Sequence, residues 1–251
     1  MIKTGFVHIP RTGGTYLESL LCRELGPERF VNFFGTPENQ KKNKISIIEN
    51  ISKDKSKQKL LKQIIDNHNV KYFSGHISLN IEQYLPKQHQ YQYMTILRDP
   101  VSRVVSFVRK VTSSKTFYDY MTMGGKSNEQ DFWFNYKVYV EKQLTHGLMP
   151  HERNGFNNYI TKCIAGINLA NPFVEVDQHI YDTALKNLDK FIYIGKFEEY
   201  KDTIDSILKI CNINTNYTIR HSSARPVPDS VLEFIYDKNI YDRKLYDRIF
   251  K

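Results

Sequence analysis

Gly5-Phe6-Val7-His8-Ile9-Pro10-Arg11-Thr12-Gly13-Gly14-Thr15-Tyr16 passes from a short apolar run through a glycine pair into helical spacing. Gly5 to Ile9 predicts a buried strand closed by Pro10, with Arg11 to Thr15 as the turn that follows. Leu17, Leu20, Leu21 and Leu25 give Tyr16–Leu25 a helical apolar stripe, which Gly26-Pro27 ends. Glycines let backbone approach a ligand closely, and a helix start offers unpaired N–H groups at the positive end of its dipole. The unit therefore suits a phosphate or a sulfate; its plainer reading is a tight strand-to-helix turn carrying a surface arginine. It is not a Walker A loop, because G-x-x-x-x-G-K-[ST] is absent and Arg11 precedes the glycines.

The same alternation continues along the chain. Strands are predicted at Lys71–Ser74, Tyr93–Leu97 and Phe191–Ile194. Helices are predicted at Lys57–Asn67, from Pro100 to about Val111 with Asp99 as N-cap, and over 129–146, 155–165, 178–188, 198–211, 229–238 and 241–250. Strands alternating with helices indicate an α/β fold, a P-loop-like, mostly parallel sheet flanked by helices. No repeat or linker divides residues 1–251, so they read as a single domain, with 112–175 as a helical cap over one edge.

A second anion signal stands at the end of the strand Tyr93–Leu97, in Arg98-Asp99-Pro100-Val101-Ser102-Arg103-Val104-Val105-Ser106. Arg98 falls at the carboxyl edge of the sheet, the usual ligand side of open α/β folds. Ser106 lies two helical turns further on, where its hydroxyl can reach the same anion. The plainer alternative is an arginine paired with Asp99 or with a carbonyl group.

Composition sets the outer limits. The 251 residues are 40% hydrophobic and 25% charged, with 17 Tyr and 15 Phe, which fits a globular core and excludes disorder or a coiled coil as a description of the whole. Lysine plus arginine is 36 against 27 acidic residues, a net +9 that predicts an anionic partner. Eight lysines between Lys41 and Lys62 supply part of that excess, as a solvated surface or as a lure for an anionic acceptor. Cys22, Cys163 and Cys211 have no metal or disulfide spacing, and the eight histidines form no zinc pattern, so no metal is expected. No run reaches the length of a membrane span and no signal-peptide core precedes the first strand, so a cytoplasmic setting is expected.

Together, Val7-His8-Ile9-Pro10-Arg11-Thr12-Gly13-Gly14-Thr15 and Ile96 to Ser106 resemble the two nucleotide motifs of sulfotransferases that use 3′-phosphoadenosine 5′-phosphosulfate (PAPS). The resemblance is nearest to the branch of heparan sulfate 2-O- and 6-O-sulfotransferases. Gly75-His76-Ile77-Ser78 is similar to the segment bearing that branch's catalytic base. Arg220-His221-Ser222-Ser223-Ala224-Arg225, with Asn239 to Asp242 and Leu245-Tyr246, is similar to the family's C-terminal loop that closes on the nucleotide.

This resemblance implies sulfuryl transfer from PAPS to an acceptor hydroxyl, leaving 3′-phosphoadenosine 5′-phosphate (PAP). Arg11 and the backbone of Thr12, Gly13, Gly14, Thr15 and Tyr16 would hold the 5′ end; Arg98 and Ser106 would hold the 3′-phosphate. Arg220, Ser222, Ser223 and Arg225 would close over it, and His76 would be the general base, with Ser78 fixing its orientation. The family usually carries lysine where this chain has Arg11, and arginine clamps charge without readily donating a proton. The acceptor implied is a saccharide, a lipid-linked sugar or a small hydroxylated metabolite, with no nucleic acid. His8 reads as a packed histidine under the loop, and Trp133 as core. Two other classes stay open on the sequence: a P-loop-like nucleotide kinase or NTPase, and a non-catalytic anion-binding protein.

Overall fold

The first strand, β1 (Ile2–Val7), is buried along all but its first residue, as a strand must be when helices cover both faces of its sheet. A computed structural model describes residues 1–33, 51, 54–112, 156–169, 174–219 and 227–251, with backbone alone for 108–112. β1 sits at the centre of a five-stranded sheet of order β2-β3-β1-β4-β5, with β2 (Phe30–Asn32), β3 (Tyr72–Gly75), β4 (Gln90–Leu97) and β5 (Phe191–Lys196). Every neighbouring pair is parallel. Val7 lies opposite Gly75 on one side and Thr95 on the other, and Leu97 lies opposite Lys196. The carboxyl ends of four strands therefore emerge at one edge.

The helices follow the apolar periodicity. One face of the sheet is covered by α1 (Gly14–Leu25) and α6 (Tyr200–Ile210), whose Leu17, Leu20, Leu21, Ile204 and Ile207 pack with Phe6, Met94 and Ile96. The other face takes α2 (Lys55–Asp66), α4 (Tyr159–Ala165), α5 (Gln178–Asn187) and α8 (Ile240–Phe250), through Leu61, Ile65, Ile160, Ala184 and Leu245 against Val7, Phe73 and Tyr93. Between α3 (Pro100–Thr112) and α7 (Asp229–Lys238), Val104, Val105, Val231 and Ile235 form a smaller cluster with Phe156. Alternate strand residues thus serve opposite faces, which fixes the register.

Two features depart from the expected outline. β2 has only three residues and was not anticipated. β1 begins at Ile2 because Lys3, a residue that reads as surface, is fully buried, its amine donating to the carbonyls of Asn67 (2.8 Å) and Val70 (2.5 Å). Of the expected cap, residues 113–155 lie outside the described set, as do Trp133 and the lysine run from Lys41 to Lys53. Among the described residues, no helix is long and apolar enough to cross a membrane.

Candidate functional site

The loop between β1 and α1 is held from inside. His8 N–H continues the sheet to Gly75 O at 2.9 Å, and the buried Thr12 hydroxyl donates to Ile9 O at 2.7 Å. Thr12 therefore turns its side chain into the loop, not toward a ligand. Arg11 has φ 72°, a left-handed conformation that costs a non-glycine residue energy and is found mainly where surrounding structure enforces it. Gly13 also has positive φ, and a Cβ there would lie 2.5 Å from the Tyr200 ring; at Gly14 a Cβ would lie 2.3 Å from the His8 ring. The glycine pair is thus demanded by two aromatic rings as well as by the turn. Tyr200 also donates its hydroxyl to Gly13 O at 2.7 Å. Tyr200→Phe should cost about 1 kcal/mol in stability, read as a lowered denaturant midpoint at unchanged m-value.

The start of α1 carries no side-chain cap. Gly13 as N-cap contributes no side-chain bond, and the first turn holds no acidic residue. By contrast, Asp54 caps α2, Asp177 caps α5, and Asp99 accepts from Ser102 N–H at 2.8 Å as expected for α3. The N–H of Tyr16 is bonded to Gly13 O at 3.2 Å. Its exposed ring lines the cleft, beside the exposed Thr15.

The second anion motif meets the first directly. Arg11 Nε donates to Ser106 Oγ at 3.0 Å, and Arg98 Nη1 reaches Arg11 O at 3.4 Å. The Arg98 guanidinium stacks over Phe197, 4.5 Å from the ring centroid, a cation–π contact that fixes its position. Glu198 fixes the turn beneath, accepting from Asp99 N–H at 2.9 Å and from the Tyr246 hydroxyl at 2.7 Å. Arg11, Gly13, Thr15, Arg98 and Ser106 line one open cleft. Two cations and an uncapped helix start facing one cleft make a site for a ligand with more than one anionic group.

His76 follows β3 at the same sheet edge, and its ring stacks on that of His8, which lines the cleft. Its Nδ1 lies 2.8 Å from His8 O. A carbonyl only accepts, so Nδ1 carries the proton and Nε2 is the lone-pair nitrogen of the neutral ring. Burial pushes the His76 imidazole down to about 4, and the His8 ring adds to the fall, against the His8 carbonyl and the Glu18 charge. His76 is therefore a neutral imidazole at physiological pH.

A family model described as the sulfotransferase family matches residues 3–248, from the first strand to the last helix. The chain belongs to the sulfotransferase family. No curated protein matches it.

In this sulfotransferase the sequence reading needs two corrections. Ser78 does not orient His76: its hydroxyl lies 2.7 Å from Asn80 Oδ1 and 2.6 Å from Ile167 O, and the His8 carbonyl takes the orienting role. Asn239 and Asp242 are not part of a loop over the nucleotide. Both are fully buried where α7 meets α8. Asp242 accepts from the N–H groups of Ile160 (3.0 Å) and Thr161 (2.7 Å), pinning the start of α4, while Asn239 donates to Phe156 O and Ile235 O. Arg220, Ser222, Ser223 and Arg225 lie outside the described residues. The sequence reading missed Phe197, Glu198 and Tyr200, which share a signal: they follow β5 at the same edge that delivers Arg98.

Proposed function

We propose that this sulfotransferase transfers a sulfuryl group from PAPS to the hydroxyl of a carbohydrate acceptor, with His76 as general base. The contact of Arg11 with both Ser106 and Arg98, beside the uncapped start of α1, carries this reading. PAPS bears a 5′-phosphosulfate and a separate 3′-phosphate, and the site offers cations from two motifs within one cleft. The donor-site residues fit it: the α1 amides and Arg11 receive the 5′ end, and Arg98 and Ser106 receive the 3′-phosphate. By resemblance to the family, Arg220, Ser222, Ser223 and Arg225 belong to the same donor site.

The chemistry is an in-line displacement at sulfur. The acceptor oxygen forms the new S–O bond as the bond from sulfur to the bridging oxygen breaks, and that electron pair leaves on the 5′-phosphate of PAP. The acceptor proton goes to Nε2 of His76. Arg11 stabilises charge on the departing oxygen, and its guanidinium stays protonated throughout. As in phosphoryl transfer, the protein mainly positions the reactants and stabilises charge. The three cysteines are free thiols, two of them buried, which favours a reducing, cytoplasmic setting.

The test is transfer from radiolabelled PAPS to a panel of glycans and small alcohols, with and without EDTA. Label should move to a saccharide at equal rates in both. Hydrolysis of ATP that requires magnesium, with no label transfer, would overturn the reading in favour of a nucleotide kinase or NTPase. The acid limb of kcat/KM gives a second check, because it reports the free enzyme. His76, faced by His8 and Glu18, loses its base function only as pH falls toward about 4. The profile should stay flat through the ordinary histidine range near about 6.5; a limb centred there would contradict His76 as the base.

A further inference from the structure

His8 is buried to 4% exposure, and its Nδ1 lies 2.9 Å from Oε2 of Glu18, itself buried on α1. A charged carboxylate is costly to bury unless a partner compensates it. Burial raises the Glu18 carboxyl, but the hydrogen bond and charge of His8, with contributions from Ser74 and His76, outweigh it and leave Glu18 below the ordinary carboxylate range. Glu18 is thus ionised at neutral pH and accepts the Nδ1 proton of His8. The His8 ring fills the space a side chain at residue 14 would take, and it stacks on His76 at 4.1 Å between centroids, tilted by 36°. The backbone of the same residue accepts from His76 Nδ1, while its N–H is bonded to Gly75 O.

We propose that Glu18 and His8 are positioning residues that fix the ring plane and tautomer of His76, so that Nε2 is the nitrogen offered to the acceptor hydroxyl. The inference rests on His76 as base. Glu18 anchors the His8 ring to α1; His8 then holds His76 twice, through its ring face and through its carbonyl. The helix whose first turn faces the donor is therefore the element that also aims the base. Donor loop and base are built as one rigid unit. Neither Glu18 nor His8 touches the reacting atoms in this scheme; both act through His76.

The experiment is Glu18→Gln, isosteric and uncharged, in the wild-type and His76→Ala backgrounds, with nitrogen NMR of the His76 ring. In the wild-type background kcat should fall about 10–100-fold, the scale of a misplaced reacting group, with little change in PAP affinity. In the His76→Ala background the same change should cause almost no further loss. The His76 nitrogen spectrum should move from one tautomer to a mixture. Should Glu18→Gln fail to fold, Glu18→Asp keeps the charge at a shorter reach and should give a smaller loss with the same spectral change. An unchanged His76 spectrum, or an equal loss of kcat in both backgrounds, would overturn the proposal. Retained kcat in His76→Ala would overturn the base assignment instead, and the spectrum would still decide whether the pair orients the ring.

Discussion

His76→Ala should lower kcat by about 10²–10⁴, the usual worth of general base catalysis, while the fold and PAP affinity stay nearly unchanged. An alcohol at neutral pH is a poor nucleophile, and its proton must leave as the S–O bond forms. His76 is suited to take it, because Nδ1–H is held by His8 O at 2.8 Å and burial keeps the ring neutral. The loss should fall on kcat and leave the Kd for PAP alone, since Arg11, Arg98 and Ser106 do not depend on this ring for their contacts with one another. The acid limb should vanish with the imidazole. A variant retaining most of its kcat on a true acceptor would make the histidine structural and assign the proton to another group.

Arg98→Ala should weaken PAP binding by about 1.5–3 kcal/mol, the worth of a hydrogen bond to a charged group, or roughly 10–150-fold in Kd. Arg98 rests on Phe197 and against Arg11 O, two contacts that fix its direction. Its removal takes away both the phosphate cation and a brace on the strained Arg11 backbone. Arg98→Lys should recover only part of the affinity, because an ammonium cannot stack on Phe197 and bridge two oxygens as a planar guanidinium does. Calorimetry with PAP and with the nucleotide lacking the 3′-phosphate separates the two roles. Arg98→Ala should bring the two affinities together, and a preserved preference for the 3′-phosphate would reassign that arginine.

Much of this architecture was legible because its signals are local. The run from Gly5 to Ile9 and the leucines of α1 announce a strand and a helix within a few residues of each other, and Asp99-Pro100 announces α3 as the structure has it. The missed pieces depend on distant partners. β2 has a single fully buried residue, Phe30, and owes its existence to pairing with β3. Lys3 reads as polar surface because its acceptors lie on the turn before β3.

The site divides the same way. Arg11, Arg98 and Ser106 stood out by residue type and spacing, and the parallel sheet brings them together. Glu18 did not, since a glutamate between Leu17 and Leu20 reads as the polar side of a helix. Only β1 packed beneath α1 reveals the histidine that accounts for it. Tyr200 was equally silent, because its reason for being there is Gly13, held near it by the fold alone. The corrected roles of Asn239 and Asp242 show the converse. Their segment resembles the family loop that closes on the nucleotide, whereas both side chains satisfy the buried backbone of α4 and its approach.

One cleft should bind both ends of a 3′-phosphorylated adenosine 5′-phosphate. Titration calorimetry of the intact protein with PAP in EDTA tests it most directly, with adenosine 5′-phosphate as the control. Binding should be saturable and one-to-one without metal, and weakened at least about tenfold when the 3′-phosphate is missing, as expected for loss of its charge-assisted contacts. Absence of PAP binding, or equal affinity for the two nucleotides, would contradict it.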